Sequence, residues 1–138
     1  LLITGVDIVE IDRVARVTKE YGKRFLERIY TEEERLYCRG RAPQLASRFA
    51  AKEAVMKALG TGTRGVGWKD IEIRRRRGSA PFIKLHGRAN MRAEQIDVQD
   101  LALSLSHSEK YAVASVVGQS NRGNLIPRAP THNKSKGN

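Results

Sequence analysis

Two carboxylates stand where carboxylates are unusual. Asp7 falls in the middle of LLITGVDIVEI, whose other members are mostly apolar. An ionised carboxyl buried there is costly unless it is paired, hydrogen-bonded or bound to a metal. Glu53 lies in QLASRFAAKEAVMKAL. Helical geometry puts it about 80° around from Leu45, at the margin of an apolar stripe, with Lys57 one turn further along the same side. Each has a plain structural explanation. Asp7 could bond backbone amides at a strand bend made by Gly5, and Glu53–Lys57 could be an exposed i,i+4 pair of small energetic weight. Together with Arg48, however, they form the set that a magnesium–pyrophosphate site requires. Magnesium takes one or two protein carboxylates and completes its octahedron with phosphates and water. A lysine then offsets charge on the phosphoryl oxygens. The sequence does not itself show that Asp7 and Glu53 meet.

The elements that must position these residues can be read from periodicity. Residues 2–11 carry apolar groups on both alternating faces, the pattern of a strand buried on two sides. Arg13 to Tyr21 reads as a short helix stopped by Gly22. Thr31-Glu32-Glu33-Glu34 is a capping box opening a helix through Cys38, with Gly40 beyond it. Gln44 to Leu59 is the clearest helix, alanine-rich, with Leu45, Phe49, Met56 and Leu59 in one stripe. A glycine-rich loop follows. Trp68–Arg74 and Pro81–Leu85 read as two strands joined by a basic turn, and Arg88–Gln95 as a helix. Leu101–His107 and Tyr111–Val117 alternate as a hairpin turning at Ser106–Lys110. The class is α+β, an antiparallel-type sheet packed on the long helix. Residues 1–118 form the domain. The polar segment 119–138, with only Leu125 and Ile126 as large apolar groups, is expected to be a mobile tail outside it.

The 138 residues suit one domain, and 40% hydrophobic with 30% charged residues excludes wholesale disorder. No apolar run approaches the ~20 residues of a membrane span, and LLITGVDIVEI reads as a strand rather than a signal peptide. The lone Cys38 cannot form an internal disulfide, which fits a reducing, cytoplasmic setting. Against 15 Asp+Glu stand 26 Lys+Arg, a formal net charge of +11, which favours anionic partners.

Five blocks carry a resemblance: GVDIVEIDR (Gly5 to Arg13), RIYTEEE (Arg28 to Glu34), SRFAAKEAVMKALGTG (Ser47 to Gly62), WKDIEI (Trp68 to Ile73) and LSLSHSEKYAVASVV (Leu103 to Val117). In this order they resemble the small bacterial-type 4′-phosphopantetheinyl transferases, the holo-acyl-carrier-protein synthases. The resemblance implies transfer of the phosphopantetheine arm of coenzyme A to a serine of an apo-acyl carrier protein, with magnesium, in support of fatty acid biosynthesis. It implies Asp7 and Glu53 as metal ligands and Glu53 and Lys57 as catalytic groups. Arg48, Lys57 and His107 would contact coenzyme A. Arg13, with Arg16 and Arg24 in the basic segment around it, would meet the acidic helix of the carrier. It also implies a homotrimer whose sites lie between neighbouring subunits. His86 and His132 match no motif and read as incidental.

The rival reading is a basic nucleic-acid-binding module without catalysis, to which the run Arg74-Arg75-Arg76-Arg77 points. The few aromatics, with no stacking arrangement, argue against it and leave docking or anion attraction as the role of that run. A degenerate scaffold is disfavoured by the intact Asp7, Glu53 and Lys57.

Overall fold

The computed structural model describes residues 1–124 and Pro127. The chain starts as strand β1 (Leu2–Glu10) and passes into helices α1 (Ile11–Tyr21), α2 (Lys23–Ile29) and α3 (Glu32–Cys38). The long helix α4 (Ala42–Leu59) follows, then a single turn α5 (Gly62–Gly65) and a 3-10 turn at Trp68–Asp70. A short hairpin of β2 (Ile71–Arg74) and β3 (Phe82–Leu85) leads into α6 (Gly87–Gln95) and a long hairpin of β4 (Val98–His107) and β5 (Tyr111–Ser120). The larger sheet is antiparallel with order β1-β5-β4, so the first strand pairs with the last. The fold is α+β, as the patterning requires.

Local chemistry explains the element ends. The Thr31 hydroxyl accepts from the Glu34 backbone amide and the Glu34 carboxylate accepts from the Thr31 amide, the reciprocal capping box read from the sequence. Gly60 ends α4 at φ 71°, a left-handed conformation that costs glycine little. Between those caps α4 is built on small residues: Ala46, Ala50, Ala51, Ala54 and Ala58 are fully buried. They let the sheet approach closely. A Cβ on Gly5 would stand 1.9 Å from the Ala54 carbonyl oxygen, so only glycine lets β1 lie against α4 there. That approach brings the middle of β1 beside Glu53.

The structure differs from the pattern at Trp68–Asp70, a 3-10 turn where a strand is expected, at Lys23–Ile29, a helix, and in two places of larger consequence. β1 is covered on one face only: Ile3 and Val9 are buried, while Leu2 (75% exposed), Val6 and Ile8 (62%) look outward beside Val117 of β5. Its two-sided apolar pattern therefore leaves an uncovered apolar sheet face within the single chain. The ordered body also runs past residue 118. β5 continues to Ser120, whose amide donates to the Leu1 carbonyl at 2.8 Å and whose hydroxyl donates to the Ile96 carbonyl. Asn124 Nδ2 donates to the Ala58 carbonyl at 3.2 Å, and Arg92 Nε donates to that of Leu59 at 2.9 Å, so both serve carbonyls at the end of α4. Leu125, Ile126 and His132, like the rest of 128–138, lie outside the described residues.

Candidate active site

β1, α1 and α4, with Phe25 of α2 and Tyr111 of β5, build one pocket of about 380 Å³, whose lining includes Asp7, Glu53, Arg13 and Phe49. Asp7 reaches it because its strand is pinned between α4 and β5, where it stands opposite Ala114. The Asp7 and Glu53 carboxyl groups are within hydrogen-bonding reach of each other. Burial raises the Glu53 pKa, the Asp7 charge and hydrogen bond raise it further, and Lys57 and Arg13 partly offset both. Lys57 does not pair with Glu53 along the helix. Its Nζ crosses to β1 and donates to Asp7 Oδ1 at 3.0 Å and to the Val6 carbonyl at 2.9 Å.

The pocket thus presents two crowded carboxyls with two cations beside them. Hard oxygen donors in this number suit magnesium, which commonly binds through one or two carboxylates and keeps its other positions for phosphates and water. Among the described residues no cluster of three His, Cys, Asp or Glu is placed to hold an ion. An all-protein cage for a transition metal is not what these residues make. The fit to a magnesium–phosphate site rests on the donor chemistry and on the mutual repulsion expressed at Glu53.

Of the residues read from the sequence, Asp7, Glu53, Lys57 and Arg13 are brought together. Arg16 and Arg24 are exposed on α1 and α2. His107 ends β4, exposed, its Nδ1 3.3 Å from the Ser108 carbonyl, and it does not line this pocket. Arg48 is also elsewhere. It is 4% exposed, its guanidinium lies 4.2 Å from the Tyr37 ring centroid, and its Nε has no hydrogen-bond partner. Tyr37 also lines a second groove of about 540 Å³ with Leu36, Phe82, Arg74, Arg75 and Arg76. Arg74, Arg75 and Arg76 therefore form a groove wall, while Arg77 stands exposed in the turn. Arg74 Nε donates to Glu72 Oε1 at 2.7 Å, and Arg76 stacks over Phe82. His86 is not incidental to this wall, since its Nε2 meets the same Glu72 oxygen at 3.1 Å. Burial acts to raise the Glu72 pKa, but bonds from Thr31, His86 and Arg74 outweigh it and leave it lowered.

One further residue escaped the sequence reading. Lys52, the residue before Glu53, is fully buried, and its Nζ donates to Glu34 Oε1 (2.7 Å), the Trp68 carbonyl (3.0 Å) and the Ile71 carbonyl (2.5 Å). Glu34 Oε2 in turn accepts from the Ile73 amide at 3.0 Å. One buried ion pair therefore ties α4 to α3 and to β2. Leu45, Arg48, Lys52, Val55 and Leu59 recur every three or four residues. Two cations standing in an otherwise apolar stripe were the available signal. Cys38 is an ordinary core thiol, its pKa pushed up to about 11 by burial.

Comparison with known proteins gives a consistent outcome. The family model described as the 4′-phosphopantetheinyl transferase superfamily matches residues 3–116. A holo-[acyl-carrier-protein] synthase of Herpetosiphon aurantiacus is 44% identical over 125 residues, covering 86% of this chain and 98% of that protein. One from Gloeobacter violaceus is 50% identical over 116 residues, covering 81% and 88%. The crystal structure of the Helicobacter pylori holo-[acyl-carrier-protein] synthase in complex with coenzyme A superposes with a TM-score of 0.77 at 33% identity, covering 85% of this chain and 100% of that one. The Neisseria meningitidis synthase gives 0.78 at 35% identity, covering 86% and 98%.

Proposed function

The chain belongs to the 4′-phosphopantetheinyl transferase superfamily, and we propose that its reaction is that of its holo-[acyl-carrier-protein] synthase relatives. It transfers 4′-phosphopantetheine from coenzyme A to a serine of an apo-acyl carrier protein and releases adenosine 3′,5′-bisphosphate. The observation that carries this reading to particular residues is the contact between the Asp7 and Glu53 carboxyls in a pocket with Lys57 and Arg13 beside them.

In this reading Asp7 and Glu53 hold a magnesium ion, which supplies Lewis-acid polarisation and offsets charge on the phosphates. The serine oxygen forms a bond to the phosphorus next to pantetheine as the bond from that phosphorus to the bisphosphate leaving group breaks. A Glu53 oxygen or a neighbouring water accepts the serine proton. Lys57 offsets charge on the departing bisphosphate, and the rigid seat of β1 on α4 fixes these groups relative to one another. The groove beside Tyr37 and Arg74–Arg76 suits the nucleotide end of coenzyme A, with Arg48 behind it as a buried cation.

The uncovered face of Leu2, Val6, Ile8 and Val117 is the kind of surface a second copy of the chain covers. A homotrimer closing on it fits a site shared between subunits, with His107 and the second groove contributed by a neighbour. Arg13, Arg16 and Arg24 present positive charge to the acidic helix of the carrier. No described helix is long and apolar enough to cross a membrane, and a cytoplasmic location accords with the reaction. Intact-mass analysis tests the reading. Apo-carrier incubated with this chain, coenzyme A and magnesium should gain the mass of one phosphopantetheine, and Asp7→Asn or Glu53→Gln should nearly abolish the gain. A carrier left unmodified by the wild-type chain refutes it.

A further inference from the structure

The position of Lys57 is not the one a phosphate ligand needs while it waits for its phosphate. Its ammonium is spent on β1, bridging Asp7 Oδ1 and the Val6 carbonyl. Asp7 is only 12% exposed and its strand is held by β5 along one edge and by α4 against one face, whereas the Lys57 side chain is 55% exposed, so the carboxylate is fixed and the lysine is the partner free to leave. The arrangement has a simple electrostatic cause. Two carboxyls forced together by the close packing of β1 on α4 repel, and the nearest cation on the helix neutralises them. A divalent ion taking the same oxygens would meet a positive charge a few ångströms away.

We propose that Lys57 is the resident counter-ion of the metal-free carboxylate pair and is exchanged for the divalent ion when that ion binds. This inference rests on the reading that Asp7 and Glu53 hold a metal. It gives Lys57 two positions: against Asp7 in the metal-free chain, and against the phosphates of coenzyme A once the metal has displaced it. The lysine then acts as a gate. It opposes metal binding to the protein alone and ceases to do so when the phosphates give its ammonium another anion. Metal and coenzyme A therefore strengthen each other's binding, with a share of that coupling residing in Lys57, and the coupling is reciprocal.

The test is a titration of the metal-free full chain with Mn²⁺, an octahedral oxygen-seeking stand-in for magnesium, followed by electron paramagnetic resonance at pH 8. Wild type, Lys57→Met, Lys57→Arg and the double variant Asp7→Asn/Glu53→Gln are compared, with circular dichroism as a check on folding. Lys57→Met should bind Mn²⁺ alone roughly tenfold more tightly than wild type, since a nearby positive charge has gone. Lys57→Arg, which keeps the charge, should bind as weakly as wild type. Adding coenzyme A should tighten Mn²⁺ binding less in Lys57→Met than in wild type. A folded Lys57→Met that binds Mn²⁺ no more tightly than wild type overturns the gate, even if the double variant loses binding and the metal reading stands. If neither wild type nor Lys57→Met binds Mn²⁺ in the presence of coenzyme A, the metal reading fails and the gate with it.

Discussion

Replacing Lys52 with Met removes an ammonium that has no solvent to return to. The methionine side chain occupies much of the same volume, so the loss is electrostatic rather than a cavity. Three donated hydrogen bonds disappear at once, and the Glu34 carboxylate is left fully buried with only the Thr31 and Ile73 amides to hold it. Removing one partner of such a pair costs roughly 3–5 kcal/mol, because the other becomes an uncompensated buried charge. For a domain of this size that corresponds to a fall in Tm of roughly 10–20 °C. Adding Glu34→Gln removes the stranded charge and should recover a substantial part of the loss, which is the non-additivity expected of contacting groups. Lys23→Met, which breaks the exposed i,i+4 pair with Glu27, should stay within about 0.5 kcal/mol of wild type. Thermal and urea unfolding followed by circular dichroism measure these three and the Glu34→Gln single variant. A Lys52→Met variant as stable as Lys23→Met, or a double variant worse than the sum of its singles, refutes the reasoning.

Glu53→Gln should raise Tm at pH 7. The folded-state pKa of Glu53 lies above its unfolded value of 4.5, so its ionisation disfavours the fold as pH rises from there, and the gain should vanish when melts are run below that value. Arg13→Glu should raise the KM for the carrier and weaken its salt dependence while leaving the KM for coenzyme A little changed; equal loss for both substrates contradicts the docking role. A chain ended at Gly118 should melt well below the full chain, because it loses the Ser120 bonds to Leu1 and Ile96 and the Asn124 bond at the end of α4; an unchanged melting temperature would show these bonds to be dispensable.

The parts of this fold that follow from local chemistry were legible in the chain. The Thr31–Glu34 capping box, the Gly60 stop and the β4–β5 hairpin each depend on residues adjacent in sequence. Asp7 was visible as a carboxylate out of place, and Glu53 and Lys57 through the motif around them. What was not legible depends on which side of a helix meets which neighbour. Arg48 and Lys52 are long cations whose default is exposure, and nothing local says that α3 and β2 close over them. Asn124 is a polar residue in a polar segment, and only the carbonyl it meets, more than sixty positions earlier, gives it a structural part. The outward face of β1 looked buried because its residues are apolar, and a single chain does not cover it.

The pairing of β1 with β5 sets a schedule as well as a shape. Asp7 leaves the ribosome about a hundred residues before Ala114, which stands opposite it. At synthesis rates of about 5–20 residues per second, the strand that carries Asp7 waits roughly 5–20 s for its neighbour. During that interval Leu2, Ile3, Val6, Ile8 and Val9 form an unpaired apolar strand, the kind of segment chaperones hold and other nascent chains capture. Helix α4, complete about midway, is the surface on which that strand can rest in the meantime, and the glycine at position 5 is what lets it lie flush there. Yield of active protein should therefore depend on the pace of translation between α4 and β5 more than through α1 to α3.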